Sequence, residues 1–181
     1  RLGKTLDMMI DGQQQPPCFP EGARFAATIN YNQMKEWDTV RRGDVQVACA
    51  RLNHPNGVSA FRVQLGEQSI VYATDTEHYA APDWKLVKLA EGADILIYDG
   101  QYTPEEYPKK IGWGNSTYVE GAKLAALAGV KELHLFHHDP THSDKTLDEI
   151  LARAQTQFKN TTSAKEGQTF ELDYSDGLHA A

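Results

Sequence analysis

The sequence predicts a layered domain of the α/β or α+β class. Two observations point there. The first half carries β-branched, alternating segments set apart by turn residues, and the second half interleaves short apolar segments with two long helical stretches. In order, Leu6 to Ile10 reads as a short helix, and Gln13 to Pro20, with three glutamines and three prolines, as the loop after it. Arg24 to Asn30 and Val45 to Leu52 read as strands. Val58 to Leu65 and Ser69 to Thr74 read as a hairpin around Gly66 and Glu67. Trp84 to Glu91 reads as a helix closed by Gly92. Ala93 to Tyr98 holds the run Ile-Leu-Ile-Tyr, fit for a strand buried on both faces and ending at Asp99. Thr117 to Ala128 is the clearest helix: Ser116 or Thr117 can cap it, Glu120 has capping-box spacing, and Gly129 ends it. Leu133 to Phe136 is a second buried strand, followed at once by His137, His138, Asp139 and Pro140. A helix from Asp144 to Phe158 and a strand from Thr169 to Leu172 complete the reading.

Length and charge bound the function. A chain of 181 residues and 20.2 kDa buries about 70% of its extended surface on folding and needs no disulfide staples. Charged residues at 24% and hydrophobic ones at 40% exclude a disordered chain or a coiled coil. The best apolar run, Leu124 to Val130, is far short of the roughly 18 residues of a membrane span. A net charge of −7 argues against sequence-independent nucleic-acid binding, which needs clustered Lys and Arg. An anionic substrate remains open if a metal supplies positive charge. Cys18 and Cys49 form no C-x-x-C pair, so a reduced, cytoplasmic protein is expected.

Three segments share one format: a buried strand ends, and a residue able to bind metal follows. Leu52-Asn53 leads to His54, Val71 to Thr74 leads to Asp75, and Leu133 to Phe136 leads to His137. Imidazole nitrogens with a hard carboxylate oxygen suit Zn²⁺, Mn²⁺ or Fe²⁺ better than Ca²⁺. Each has a plainer reading. His54 alone fits a hydrogen-bonded turn residue, and Asp75 in Thr-Asp-Thr fits a turn cap. The His137-His138-Asp139 cluster is harder to dismiss, because burying it without partners is costly. His78 and His142 read as solvated loop residues, and His134 as packing. Trp113 and Tyr102 read as pocket linings or packing anchors, Lys109 and Lys110 as a phosphate attractor or a solvated face, and Glu105 and Glu106 as the first turn of a short helix.

The segments Leu-Asn-His-Pro-Asn-Gly (52–57), Tyr-Ala-Thr-Asp-Thr-Glu-His (72–78), Ala-Asp-Ile-Leu-Ile-Tyr-Asp-Gly-Gln-Tyr-Thr (93–103), Gly-Trp-Gly-Asn-Ser-Thr (112–117) and Leu-Phe-His-His-Asp-Pro (135–140) together resemble the metallo-β-lactamase superfamily. More narrowly, they resemble its ribonuclease Z and cyclic phosphodiesterase branch, from about Leu6 to Asp173. The resemblance implies an α+β fold, the αββα sandwich, with up to two metal ions, zinc or manganese or iron, at one edge. It implies a phosphodiesterase-type hydrolase using metal-bound hydroxide on a small-molecule or nucleotide phosphodiester. His54 matches a ligand of one metal, Asp75 the bridging aspartate, and His137 the last ligand histidine, with His138 the fallback. Asp99 matches the acidic residue that orients a catalytic histidine, and Asn115 occupies that histidine's position. Asparagine donates a hydrogen bond but is no general acid near neutral pH.

The superfamily's His-x-His-x-Asp-His motif matches none of the seven histidines, 54, 78, 134, 137, 138, 142 and 179. The chain is therefore expected to form one domain over residues 1–181 that corresponds to the C-terminal two-thirds of such an enzyme. The expectation includes weak metal binding, essentially no activity of this chain alone, and apolar sheet surface or an edge left exposed. The rivals are a non-catalytic module on the same fold and an ester or lactone hydrolase.

Overall fold

A computed structural model describes Thr28, Asn30 and residues 33–172, and among these four strands come first and three α-helices then alternate with three more strands. The expected helix at Leu6 to Ile10 and the loop at Gln13 to Pro20 lie outside these residues. So does most of the expected strand at Arg24 to Asn30, of which Thr28 and Asn30 belong to no regular element. The chain divides into two units, Arg1–Lys35 and Glu36–Ala181. Every element below belongs to the second.

The strands are β1 (Thr39–Arg42), β2 (Val45–Leu52), β3 (Val58–Leu65), β4 (Gln68–Ala73), β5 (Ile95–Asp99), β6 (Glu132–Phe136) and β7 (Thr161–Ser163). The helices are α1 (Trp84–Ala90), α2 (Tyr118–Ala128) and α3 (Asp144–Gln155). All seven strands join one sheet in chain order. β1 to β4 form an antiparallel meander, and β4 to β7 run parallel. Antiparallel neighbours need only tight turns, whereas each parallel step needs a crossover, which the helices provide.

Strand register gathers small and branched residues onto one face. Ala50 pairs with Ala60, Val71 with Leu96, Ala73 with Tyr98, Leu96 with Leu133 and Tyr98 with Leu135. These join Leu86 and Leu89 of α1, Ala122, Leu124 and Ala125 of α2, and Ile150 and Ala154 of α3 in one core. Leu96, Leu133 and Leu135 have no exposed surface; burying each contributes about 1.5–3 kcal/mol. Gly121 lets α2 approach the sheet, because a Cβ there would lie 2.7 Å from the buried Tyr98 ring. Arg62 sits on the same face. Its guanidinium donates to Leu89 O and Glu91 O at the end of α1 and to Ser69 Oγ. The strand starts are tied by Asp94, whose carboxylate accepts from Ser69 N and pairs with Lys131. Burial works to raise the Asp94 pKa, but those two donors hold it below the usual carboxylate value.

The described residues thus supply one sheet and one helical layer of the sandwich. On the sheet's other face Phe61, Val63, Leu65, Tyr72 and Phe136 remain 37–42% exposed. Helix ends follow the sequence: Thr117 Oγ1 accepts from Glu120 N, and Gly129 closes α2. Two readings are corrected. Thr169 to Leu172 belongs to no strand, and the sheet instead ends on Thr161–Ser163. α3 ends at Gln155 rather than Phe158. The edge strand β1 is an addition.

Candidate active site

β2, β4, β5 and β6 all point the same way, because β2 and β4 are each antiparallel to β3 and the later strands are parallel to β4. Their carboxyl ends therefore share one sheet edge. His54 follows β2, Asp75 follows β4, Asp99 ends β5 and His137 follows β6. In open α/β sheets this edge is where ligands sit, because the chain leaves the ladder there while still held by it.

Backbone strain marks two of these positions. Asp75 has φ 57° and His137 has φ 58°, the left-handed region that costs a non-glycine residue about 1–3 kcal/mol. Such conformations persist where the surroundings impose them. Here they bring the two side chains together, with His137 Nε2 3.3 Å from Asp75 Oδ1. Both stay within reach of solvent, at 33% and 52% side-chain exposure.

Asp99 lies beneath them without exposed surface. Its Oδ2 accepts from Asn115 Nδ2 at 2.9 Å and Thr76 N at 3.3 Å. Its Oδ1 accepts from Ser116 N at 3.0 Å and Gln101 N at 3.2 Å. One carboxylate thereby locks three loops. Asn115 Nδ2 also lies 3.0 Å from His137 Nδ1, with Asp99 Oδ2 farther from that nitrogen at 3.5 Å. An amide NH₂ only donates, so the shorter contact makes Nδ1 an acceptor. The neutral ring then carries its hydrogen on Nε2, towards Asp75. The Asp99 carboxylate favours the charged ring and, against the opposing effect of burial, raises the His137 pKa.

His54 is held differently. Its Nδ1 accepts from Asn56 N at 3.0 Å. Its ring lies against the backbone of Gly114, where a Cβ would fall on Cδ2 and Nε2. Gly114, at φ 100°, lets the loop lie on the imidazole. The donors suit zinc in kind, a ring nitrogen and a carboxylate oxygen, but not in number. Among the described residues no three His, Cys, Asp or Glu side chains gather to hold one ion, while a catalytic zinc keeps three protein ligands.

Other predicted residues have other places. His138 Nε2 lies 3.1 Å from Ser163 Oγ on β7, its Nδ1 is buried without a partner, and burial lowers its pKa. His134 is packed, 2% exposed, against the Phe170 ring. The solvated reading of His78 and His142 is corrected. His78 is half-buried, its Nδ1 2.8 Å from Ser116 Oγ, and burial lowers its pKa. His142 has 6% side-chain exposure and meets Glu106 Oε1 at 2.9 Å. Their partners lie 38 and 36 positions away, so no local pattern reveals the contacts. Tyr102 is the buried anchor, 3% exposed, whereas Trp113 stands out at 61%.

Glu77 is the residue that sequence reasoning missed. Only 6% exposed, its carboxylate accepts from Gly112 N at 2.6 Å, Gly114 N at 2.9 Å and Tyr107 OH at 3.0 Å. Burial, and then this bond, push the Tyr107 phenol up to about 12. Glu77 N and O also bond to Asn53, beside His54. One carboxylate so fixes the loop leading into Asn115. A glutamate in a short polar connection reads as solvated, and its donors lie 30 to 37 positions on. Glu77→Gln replaces an acceptor with a donor facing an N–H. A loss of about 1–3 kcal/mol is expected, read as a lower urea midpoint with faster amide exchange over residues 107–114. Unchanged exchange there would remove the bracing role.

Comparisons with known proteins show the family and the fold. The sequence profile of the family described as "Beta-lactamase superfamily domain" matches residues 10–138. Ribonuclease BN of Proteus mirabilis is 29% identical over 142 residues, covering 78% of this chain and 43% of that protein. Ribonuclease Z of Brevibacillus brevis is 35% identical over 103 residues, covering 55% of this chain and 31% of that protein. The chain thus spans less than half the length of these relatives. Among solved structures, the metallo-beta-lactamase fold protein YhfI from Bacillus subtilis aligns with TM-score 0.62 at 22% identity, covering 73% of this chain and 52% of that one.

Proposed function

Because this chain belongs to the beta-lactamase superfamily and shares the fold of its metallo members, we propose that it is part of a metal-dependent phosphodiester hydrolase. The observation that carries the reading is the Asp75–His137 pair, 3.3 Å apart on two strained backbones at the carboxyl edge of the sheet. Names of relatives that cleave RNA support the phosphodiester class.

Asp75 and His137 are the donors we assign to a metal of the zinc, manganese or iron class, with His54 the third candidate and the rest of the ligand set outside the described residues. A bound metal supplies Lewis acidity and activates water near neutral pH. The chain's own residues do the positioning. Asp99 fixes Asn115 and, through it, the ring of His137. Asn115 donates hydrogen bonds but transfers no proton near neutrality, so substrates whose leaving group needs no protonation are favoured. A metal on Nε2 of His137 would need the ring hydrogen on Nδ1, where Asp99 Oδ2, 3.5 Å away, would accept it and the Asn115 contact would be given up.

A second reading, a non-catalytic module, is favoured by the same pair standing alone among the described residues. The test begins with the coding sequence upstream of the Arg1 codon and assays the protein it encodes on bis(p-nitrophenyl) phosphate. Turnover that chelation abolishes, zinc or manganese restores and Asp75→Ala removes supports the hydrolase. Turnover surviving chelation overturns it, and absence of turnover with metal supplied favours the module.

A further inference from the structure

We infer that Trp113, with Lys110 beside it, forms a stacking subsite for the base of a nucleotide at the rim of this site. The substrate class rests on the phosphodiester reading above. The placement rests on the loop itself.

Exposure changes abruptly along that loop. Ile111 and Trp113 are 66% and 61% exposed, whereas residues 114–118 are buried. Trp113 therefore stands where the chain turns from surface into site. Asn115 is two residues on, within roughly 7 Å of chain reach, and Gly114 lies against His54. The backbone that carries the exposed ring is also braced. The residues on both sides, Gly112 and Gly114, donate their N–H groups to the buried Glu77 carboxylate. Fixing a large indole in water forgoes the gain from burying it. A buried carboxylate spent on holding that loop marks the indole as a surface kept ready for something else.

The neighbouring charge narrows what that is. Lys110 Nζ lies 4.1 Å from the Trp113 ring centroid and 5.3 Å from that of Tyr102, a cation lodged between two aromatic rings. A planar base stacks on an indole face whatever its identity, and the ammonium over the ring suits the phosphate attached to that base. A chain charge of −7 disfavours a long run of phosphates, so the platform suits one base rather than a run of them.

The test compares adenosine 5′-monophosphate with ribose 5-phosphate, the same phosphate without a base, by calorimetric titration of the chain. Stacking predicts tighter binding of the first by roughly 5- to 150-fold. Trp113→Ala should abolish that preference and leave ribose 5-phosphate binding unchanged; Trp113→Phe should keep part of it. The exposed position leaves the fold intact, which a urea midpoint verifies. No base preference in the parent chain, or an equal preference in Trp113→Ala, overturns the inference. This readout needs no turnover. A base preference in a protein without hydrolysis removes the hydrolase reading and keeps the subsite; hydrolysis without a base preference does the reverse.

Discussion

Asp99→Ala should cost about 3–5 kcal/mol of folding stability, because a lost acceptor costs about 1–3 kcal/mol for each buried donor it leaves unsatisfied. The carboxylate has no exposed surface and satisfies Asn115 Nδ2, Ser116 N, Gln101 N and Thr76 N. Alanine leaves Ser116 N and Thr76 N buried without this acceptor, strips the half-buried Gln101 N of it, and leaves Asn115 Nδ2 with only His137 Nδ1, and each buried loss carries its own desolvation penalty. Urea denaturation reads the effect as a lower midpoint at unchanged slope. Asp99→Asn keeps one oxygen and turns the other into a donor facing donors, so it should fall between. A loss below about 1 kcal/mol for the alanine variant would mean that the loops hold their places by packing, and the central role given to Asp99 would go.

Asp75→Gly should separate stability from chemistry. Asp75 holds φ 57° and is half exposed. Glycine adopts that conformation without steric cost, so stability should hold or rise by about 1 kcal/mol. The donor beside His137 disappears at the same time. Zinc uptake by calorimetry should fall, and phosphodiester turnover should drop by about 10³-fold, the equivalent of losing several kcal/mol of charge stabilisation. The ordinary expectation for a glycine substitution is the reverse, a weaker fold with intact chemistry. A destabilised variant that still binds zinc would show that the strain at Asp75 serves a turn and not a site.

Much of this was legible in the sequence, for local reasons. β2 to β6 announce themselves through alternation or apolar runs, and α2 through Thr117 and Gly129, because these signals lie inside the elements they specify. β7 does not. Thr161-Thr162-Ser163 is short and polar, buried only because β6 lies beside it, whereas Thr169 to Leu172 has the right look and no strand to pair with. β1 is masked by Arg41 and Arg42, which an edge strand tolerates. At the candidate site, His54, Asp75 and His137 were readable as residues placed just past strand ends, and Asp99 through the family resemblance. Glu77, and the partners of His78 and His142, were not. Their hydrogen bonds cross some thirty or more positions, and only the folded sheet brings those positions together.

The strand order carries a consequence for how the chain is made. Each strand lies beside the one synthesised just before it. A ribosome releasing this chain from its amino end hands every new strand a finished edge to join, with at most one helix to close in between. Loop-closure entropy is paid in small instalments, and no early strand waits for a late partner. The edge that carries the candidate site is assembled in the same sequence, His54 first, then Asp75, then Asp99, and His137 last. Growth from one side to the other moves one edge of the sheet along while β1 stays at the other, and the three polar residues of β7 are the last to join it.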